Sequence, residues 1–189
     1  LHNYHDVYNS FPFGSRFGTL YNQAGVKNGT NWRLSILPYL EQSAVYDSLN
    51  FVSGNFSAGT DAALGYNNGN EALRGFSFAG YLCPSSTLDV FPQTYINGGG
   101  GTSSFNNQAN GMGIQYVGIQ GAAPSFSWPQ AGNRDCTQGW SCDQGMMGVN
   151  AARKMRDNTD GTSNTLVIAE QSGLTRGANR TSNYFGGWF

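Results

Sequence analysis

Nine residues in the last third of the chain, Asp157-Asn-Thr-Asp-Gly-Thr-Ser-Asn-Thr, crowd side-chain oxygens into one short stretch. Calcium takes about six to eight oxygen ligands, so Asp157, Asn158 and Asp160 are the candidate metal ligands and calcium the candidate cofactor. The spacing and closing glutamate of an EF-hand are missing. A plain Asx turn at Asp160-Gly161 leading into a strand explains the same residues as well.

A second metal reading starts from His2, His5 and Asp6, since His2 and His5 share a helix face. These are the only two histidines, and a site would need further ligands. Hydrogen bonding and packing are the simpler role for both rings.

For hydrolysis the chain offers many serines but no Gly-x-Ser-x-Gly turn, and a triad would have to recruit His2 or His5. Glu41, Glu71 and Glu170 are acids without an evident pairing for glycoside chemistry. The four glycines Gly98 to Gly101 are not followed by Lys-Ser/Thr, so they carry no phosphate-loop signal. The expected protein is not an enzyme.

Rings among amides suggest a different chemistry. Phe105, Phe126, Trp128 and Trp140 lie in stretches rich in Asn, Gln and Ser. Apolar sugar faces stack on such rings while hydroxyls take hydrogen bonds. Trp128 and Trp140 are therefore the candidate glycan platform, with anchoring of irregular loops as the favoured simpler role.

Cys136 and Cys142 enclose Thr-Gln-Gly-Trp-Ser, a loop able to close on itself. A disulfide there is favoured and suits an extracytoplasmic compartment. Free thiols, or a metal helped by Asp135 and Asp143, are the alternatives. Cys83 is left over, either as a buried free thiol or as the partner of a cysteine upstream of Leu1.

Composition narrows the classes further. Charged residues are 11% of the chain, with 20 Asn, 27 Gly and two Lys, so amides and backbone rather than ions must meet the solvent. A net charge of -1 without a basic cluster argues against nucleic acid. No apolar run reaches the roughly 18 residues of a membrane span. The length of 189 residues suits one domain over 1–189.

The elements that position these residues follow from periodicity. Leu1, Tyr4, Val7 and Tyr8 keep helical spacing until Pro12 stops it, which reads as the tail of a longer helix laid on a sheet, with Leu1 a boundary rather than a natural start. Leu37, Leu40, Ala44 or Val45, and Leu49 predict a second helix of about ten residues, with Pro38 in its first turn. Phe51 to Gly80 predicts a long excursion pinned by Phe56, Tyr66, Phe76 and Phe78, and residues 97–113 repeat its character. Strands are expected at Gly80–Cys83, Gln115–Ile119, Met146–Asn150, Thr165–Glu170 and Tyr184–Phe189, the last a possible truncation. Helices first and strands later favour an α+β fold with an antiparallel sheet.

Four segments in order, Leu1-His-Asn-Tyr-His-Asp-Val-Tyr-Asn-Ser-Phe-Pro, Trp32-Arg-Leu-Ser-Ile-Leu-Pro-Tyr-Leu-Glu-Gln, Leu82-Cys-Pro-Ser and Asp160-Gly-Thr-Ser-Asn-Thr-Leu-Val-Ile-Ala-Glu, resemble the DUF1559 family. The resemblance implies a pilin-like or pseudopilin-like fold, a helix tail packed on an antiparallel β-sheet with long Gly/Asn-rich loops. It implies an upstream prepilin leader and hydrophobic helix, which would anchor the full-length protein and join it to like subunits or other pilin-like proteins. It also implies a cysteine partner for Cys83 in that segment. The family's C-terminal His and Asp-Gly motif is not found after Phe189. The expected role is a structural protein of the cell surface or a secretion machine, with a surface carbohydrate-binding module on the same scaffold as the alternative.

Overall fold

The computed structural model describes residues 1–18, 27–51, 70–87, 89–91, 94–96, 102–104, 112–113, 115–120, 145–148, 150–170, 174–175 and 178–179. They form short helices and antiparallel strand pairs, a mixed α and β architecture. The helices are α1 (His2–Tyr8), α2 (Trp32–Ser35) and α3 (Ser43–Asp47). Strands β1 (Ser15–Gly18) and β2 (Lys27–Asn31) pair, as do β3 (Thr94–Ile96) with β4 (Thr102–Ser104) and β5 (Tyr116–Gly118) with β6 (Ile168–Glu170). A last pair joins β7 (Leu174–Thr175) to β8 (Ala178–Asn179).

The expected ten-residue helix is broken into three pieces. Asn31 caps α2, its side-chain oxygen accepting from the Arg33 amide at 3.0 Å. α2 ends at Ser35 with Ile36 as its C-cap, Pro38 stands in the 3-10 turn Leu37–Leu40 that follows, and Glu41 adopts a left-handed φ of 59° that closes it before α3 begins. The periodic apolar residues still face inward. Leu37 and Leu49 are buried and Leu40 and Val45 half-buried, while Ala44 is exposed, so Val45 takes the inward position. They join Trp32, Leu34, Ile36, Leu73, Tyr81, Met112 and Met147 in one core.

Of the predicted strands, those at 115–119 and 165–170 form, shortened to β5 and β6. Gly80–Cys83 does not. A 3-10 turn, Ala79–Tyr81, occupies it, with the Phe78 ring folded so closely over Gly80 that an added Cβ would lie 2.4 Å from it. Met146–Asn150 is not a strand either, yet its backbone is stitched on both sides. Met147 N–H donates to the Ile119 carbonyl at 3.2 Å and Gly145 N–H to that of Gln120 at 2.6 Å. On the other side Gly14 N–H donates to Gly148 and Asn150 N–H to Ser15, both at 2.9 Å. The left-handed φ of 52° at Asn150 interrupts regular geometry. Through this segment β2, β1, β5 and β6 are linked edge to edge by backbone hydrogen bonds. The predicted strand at 184–189, and Phe56 and Tyr66, lie outside the described residues.

Close approach explains two glycines. A Cβ on Gly14 would sit 1.9 Å from the Met147 carbonyl oxygen, and one on Gly118 would sit 2.9 Å from the Met147 Cβ and 3.3 Å from the Trp32 ring nitrogen. Two buried polar side chains tie distant segments together. Asn70 bridges to the backbone of Asn50. The Arg33 guanidinium stacks 4.8 Å from the Trp32 ring centroid and donates to the Tyr116 carbonyl, while the Tyr81 hydroxyl donates to the Arg33 carbonyl at 2.8 Å. Burial lowers the Arg33 pKa to about 10, which leaves the group charged at neutral pH.

Candidate functional site

α1 ends at Asn9, whose left-handed φ of 52° and amide bond to the His5 carbonyl at 2.7 Å make a C-cap before Pro12 is reached. Pro12 is instead buried. The face turned inward is Leu1 and Tyr4, which pack on the core, with His5 half-buried beside them. The expectation that Tyr4, Val7 and Tyr8 together pack on a sheet is corrected. Val7 is 65% and Tyr8 59% exposed, and Tyr4 meets Tyr39 of the 3-10 turn. By spacing Tyr8 shares the stripe of Leu1, Tyr4 and His5, but it stands at the end of the helix with its ring against Tyr4, while Val7 lies off that stripe.

Around Tyr8 a face of rings forms from two stretches of chain. Tyr4 and Tyr8 lie 4.5 Å apart between ring centroids, Tyr4 and Tyr39 5.9 Å, and Tyr46 and Phe51 5.0 Å. Tyr8 lies close enough to Tyr39 to add to the rise of its pKa. Burial, then the neighbouring phenols, raise the pKa of Tyr4 and Tyr39; for Tyr46 burial is joined by Tyr8 and the carboxylate of Asp47. All three stay protonated well past neutrality and serve as hydrogen-bond donors and acceptors. Such a face can stack a flat or cationic group and hydrogen-bond its rim.

The turn at 157–165 uses its oxygens on itself. Asp157 Oδ2 accepts from the Lys154 amide at 2.8 Å, Asn158 Oδ1 accepts from the Thr165 hydroxyl, and the Asp160 carbonyl accepts from Asn164 Nδ2 at 3.0 Å. Asp157 and Asp160 are exposed and Asn158 half-buried. The described residues contain no cluster of three or more His, Cys, Asp or Glu suited to a metal ion.

His2 and His5 flank the Phe11 ring, at 6.2 and 5.0 Å between centroids. The Met155 amide donates to His5 Nε2 at 3.3 Å, so that nitrogen is an acceptor and the helix is fastened to the 150–157 segment. Glu41, Glu71 and Glu170 sit exposed on three separate elements. Cys83 has a free thiol, half-buried, with Sγ 3.1 Å from Ser85 Oγ, and its amide donates to Gln115 Oε1. Phe105, Phe126, Trp128, Trp140, Cys136 and Cys142 lie outside the described residues. The tyrosine face was missed by sequence reasoning because its two halves, 1–8 and 37–51, are separated in the chain. The repeated Tyr at 4, 8, 39 and 46 was the available signal.

Among the described residues, short helices and antiparallel strand pairs make a mixed α and β architecture that carries a partly exposed group of rings. The family described as "Protein of unknown function (DUF1559)", SBP_bac_10, matches residues 1–189, and the chain belongs to it. No curated protein matches the chain, and no solved structure does.

Proposed function

We propose that this chain is the non-catalytic head of a pilin-like or pseudopilin-like protein, acting outside the cytoplasm by assembly with like subunits or other pilin-like proteins and by surface display. The observation that carries the reading is the exposure of Val7 and Tyr8 on α1, with Tyr8 against the Tyr4 ring and Tyr4 against Tyr39, while Leu1 and Tyr4 dock the helix. Exposed apolar and aromatic side chains grouped on one element favour a macromolecular contact. The low charge and amide-rich composition fit a displayed surface.

Val7→Cys tests it directly. Oxidative cross-linking between copies, in a chain extended by the hydrophobic helix that the family resemblance implies, is the expected result, with membrane or filament association. A monomer that never cross-links sinks the assembly reading. Retention on a glycan array, lost in Trp128→Ala or Trp140→Ala, would replace it with the carbohydrate-binding module.

A further inference from the structure

We propose that Tyr4 and Tyr8 form an oxidative cross-linking site, at which hydrogen peroxide and a haem peroxidase join the two rings and staple the last turn of α1. This is independent of the assembly reading. The two phenols stand one helical turn apart, with ring centroids separated by 4.5 Å and planes tilted by 39°. Tyr8 is 59% exposed and open to an oxidant, whereas Tyr4 is half-buried and packed on the core and on the Tyr39 ring. One ring is thus held while the other, at the end of the helix, can turn onto it. Other described tyrosines are placed differently. Tyr39 meets Tyr4 edge-on at 5.9 Å, Tyr46 lies against Phe51, which has no phenol, and Tyr81 is buried against Trp32 and Phe78.

Each phenol gives up one electron and one proton, and the two phenoxyl radicals couple through ring carbons ortho to oxygen. The two ortho hydrogens then move to the oxygens and restore both phenols. Two ring C–H bonds are replaced by one C–C bond, and one hydrogen peroxide is reduced to two waters. Coupling between rings already in contact outruns an encounter with a second copy. The new bond spans the same turn as the hydrogen bond from the Asn9 amide to the His5 carbonyl at 2.7 Å.

The test treats this chain, in dilute solution, with a haem peroxidase and hydrogen peroxide, followed by tryptic digestion and mass spectrometry. The expected product is a monomer with dityrosine fluorescence, whose peptide ending at Arg16 is lighter by two hydrogens. Tyr8→Phe and Tyr4→Phe each keep the ring and should abolish that mass loss. Hydrogen exchange at the Asn9 amide should be slower in the cross-linked form. Dityrosine confined to covalent dimers, a bond from the peptide ending at Arg16 to the one holding Tyr39, survival of the mass loss in Tyr8→Phe, or no dityrosine at all would each overturn the proposal. Unchanged exchange at Asn9 in the cross-linked form would overturn the staple.

Discussion

The side-chain amide of Asn70 closes a two-bond bracket on the backbone of Asn50, accepting from its N–H at 2.7 Å and donating to its carbonyl at 3.3 Å. Asn70 is fully buried, so the bracket fastens Asn50 to a residue of the core across 20 positions of sequence. Its loss removes both bonds and empties the space of a fully buried side chain. Asn70→Ala should cost about 1–3 kcal/mol, read as a lower urea midpoint with an unchanged slope. A midpoint within error of the parent would show that the bracket is incidental.

Arg33 makes a comparable tie between α2 and β5. Arg33→Lys keeps a charge but loses the planar fork that stacks on Trp32 while reaching the Tyr116 carbonyl. We expect destabilisation of about 2–4 kcal/mol, with Lys little better than Ala. Full rescue by Lys in thermal melts would mean that charge alone matters.

Gly118→Ala places a methyl 2.9 Å from the Cβ of the fully buried Met147 and 3.3 Å from the Trp32 ring nitrogen, so side chains of the core must give way. Overpacking of this kind costs about 1–3 kcal/mol. Gly14→Ala meets a carbonyl oxygen at 1.9 Å instead, so the backbone itself must shift, and this variant should be the less stable of the two. Reversal of that order in denaturant titrations would contradict the close approach at Gly14.

Alkali should unfold the protein. Burial, first among the causes, raises the pKa of Tyr4, Tyr39, Tyr46, Tyr81 and Tyr116 above the ordinary 10.0. Above that pH the unfolded chain releases protons that the folded chain keeps, so stability is intact below about pH 10 and falls as pH rises through the folded values. Arg33, lowered by burial, acts in the opposite sense, as one group against five. Phenolate absorbance should therefore rise late and together with loss of structure. Early, independent titration of all ten tyrosines would contradict the buried phenols.

Spacing made part of this architecture legible. Leu37, Leu49 and the strands at 116–118 and 168–170 were found because apolar periodicity and turn residues report burial. The breaks in the second helix were not legible, since Pro38 is tolerated in a first helical turn and the left-handed backbone at Glu41 falls on an ordinary helix-forming residue. Asn70 and Arg33 escape a reading that seeks apolar residues inside. The ring face escapes it too, because Tyr8 and Tyr39 meet only once the chain has folded. For Trp128, Trp140, Cys136 and Cys142 the sequence reading stands by itself.

The backbone stitching of residues 145–150 to 14–15 on one side and 119–120 on the other has a consequence for biogenesis. Neither flank is its sequence neighbour, so β1 and β2 wait through more than a hundred residues of synthesis for the segment that ties them to β5. Such non-local closure is slow and leaves edges unpaired meanwhile. Nascent chains halted before Gly145 should stay protease-sensitive and recruit chaperones, with protection arriving only after Glu170 has emerged.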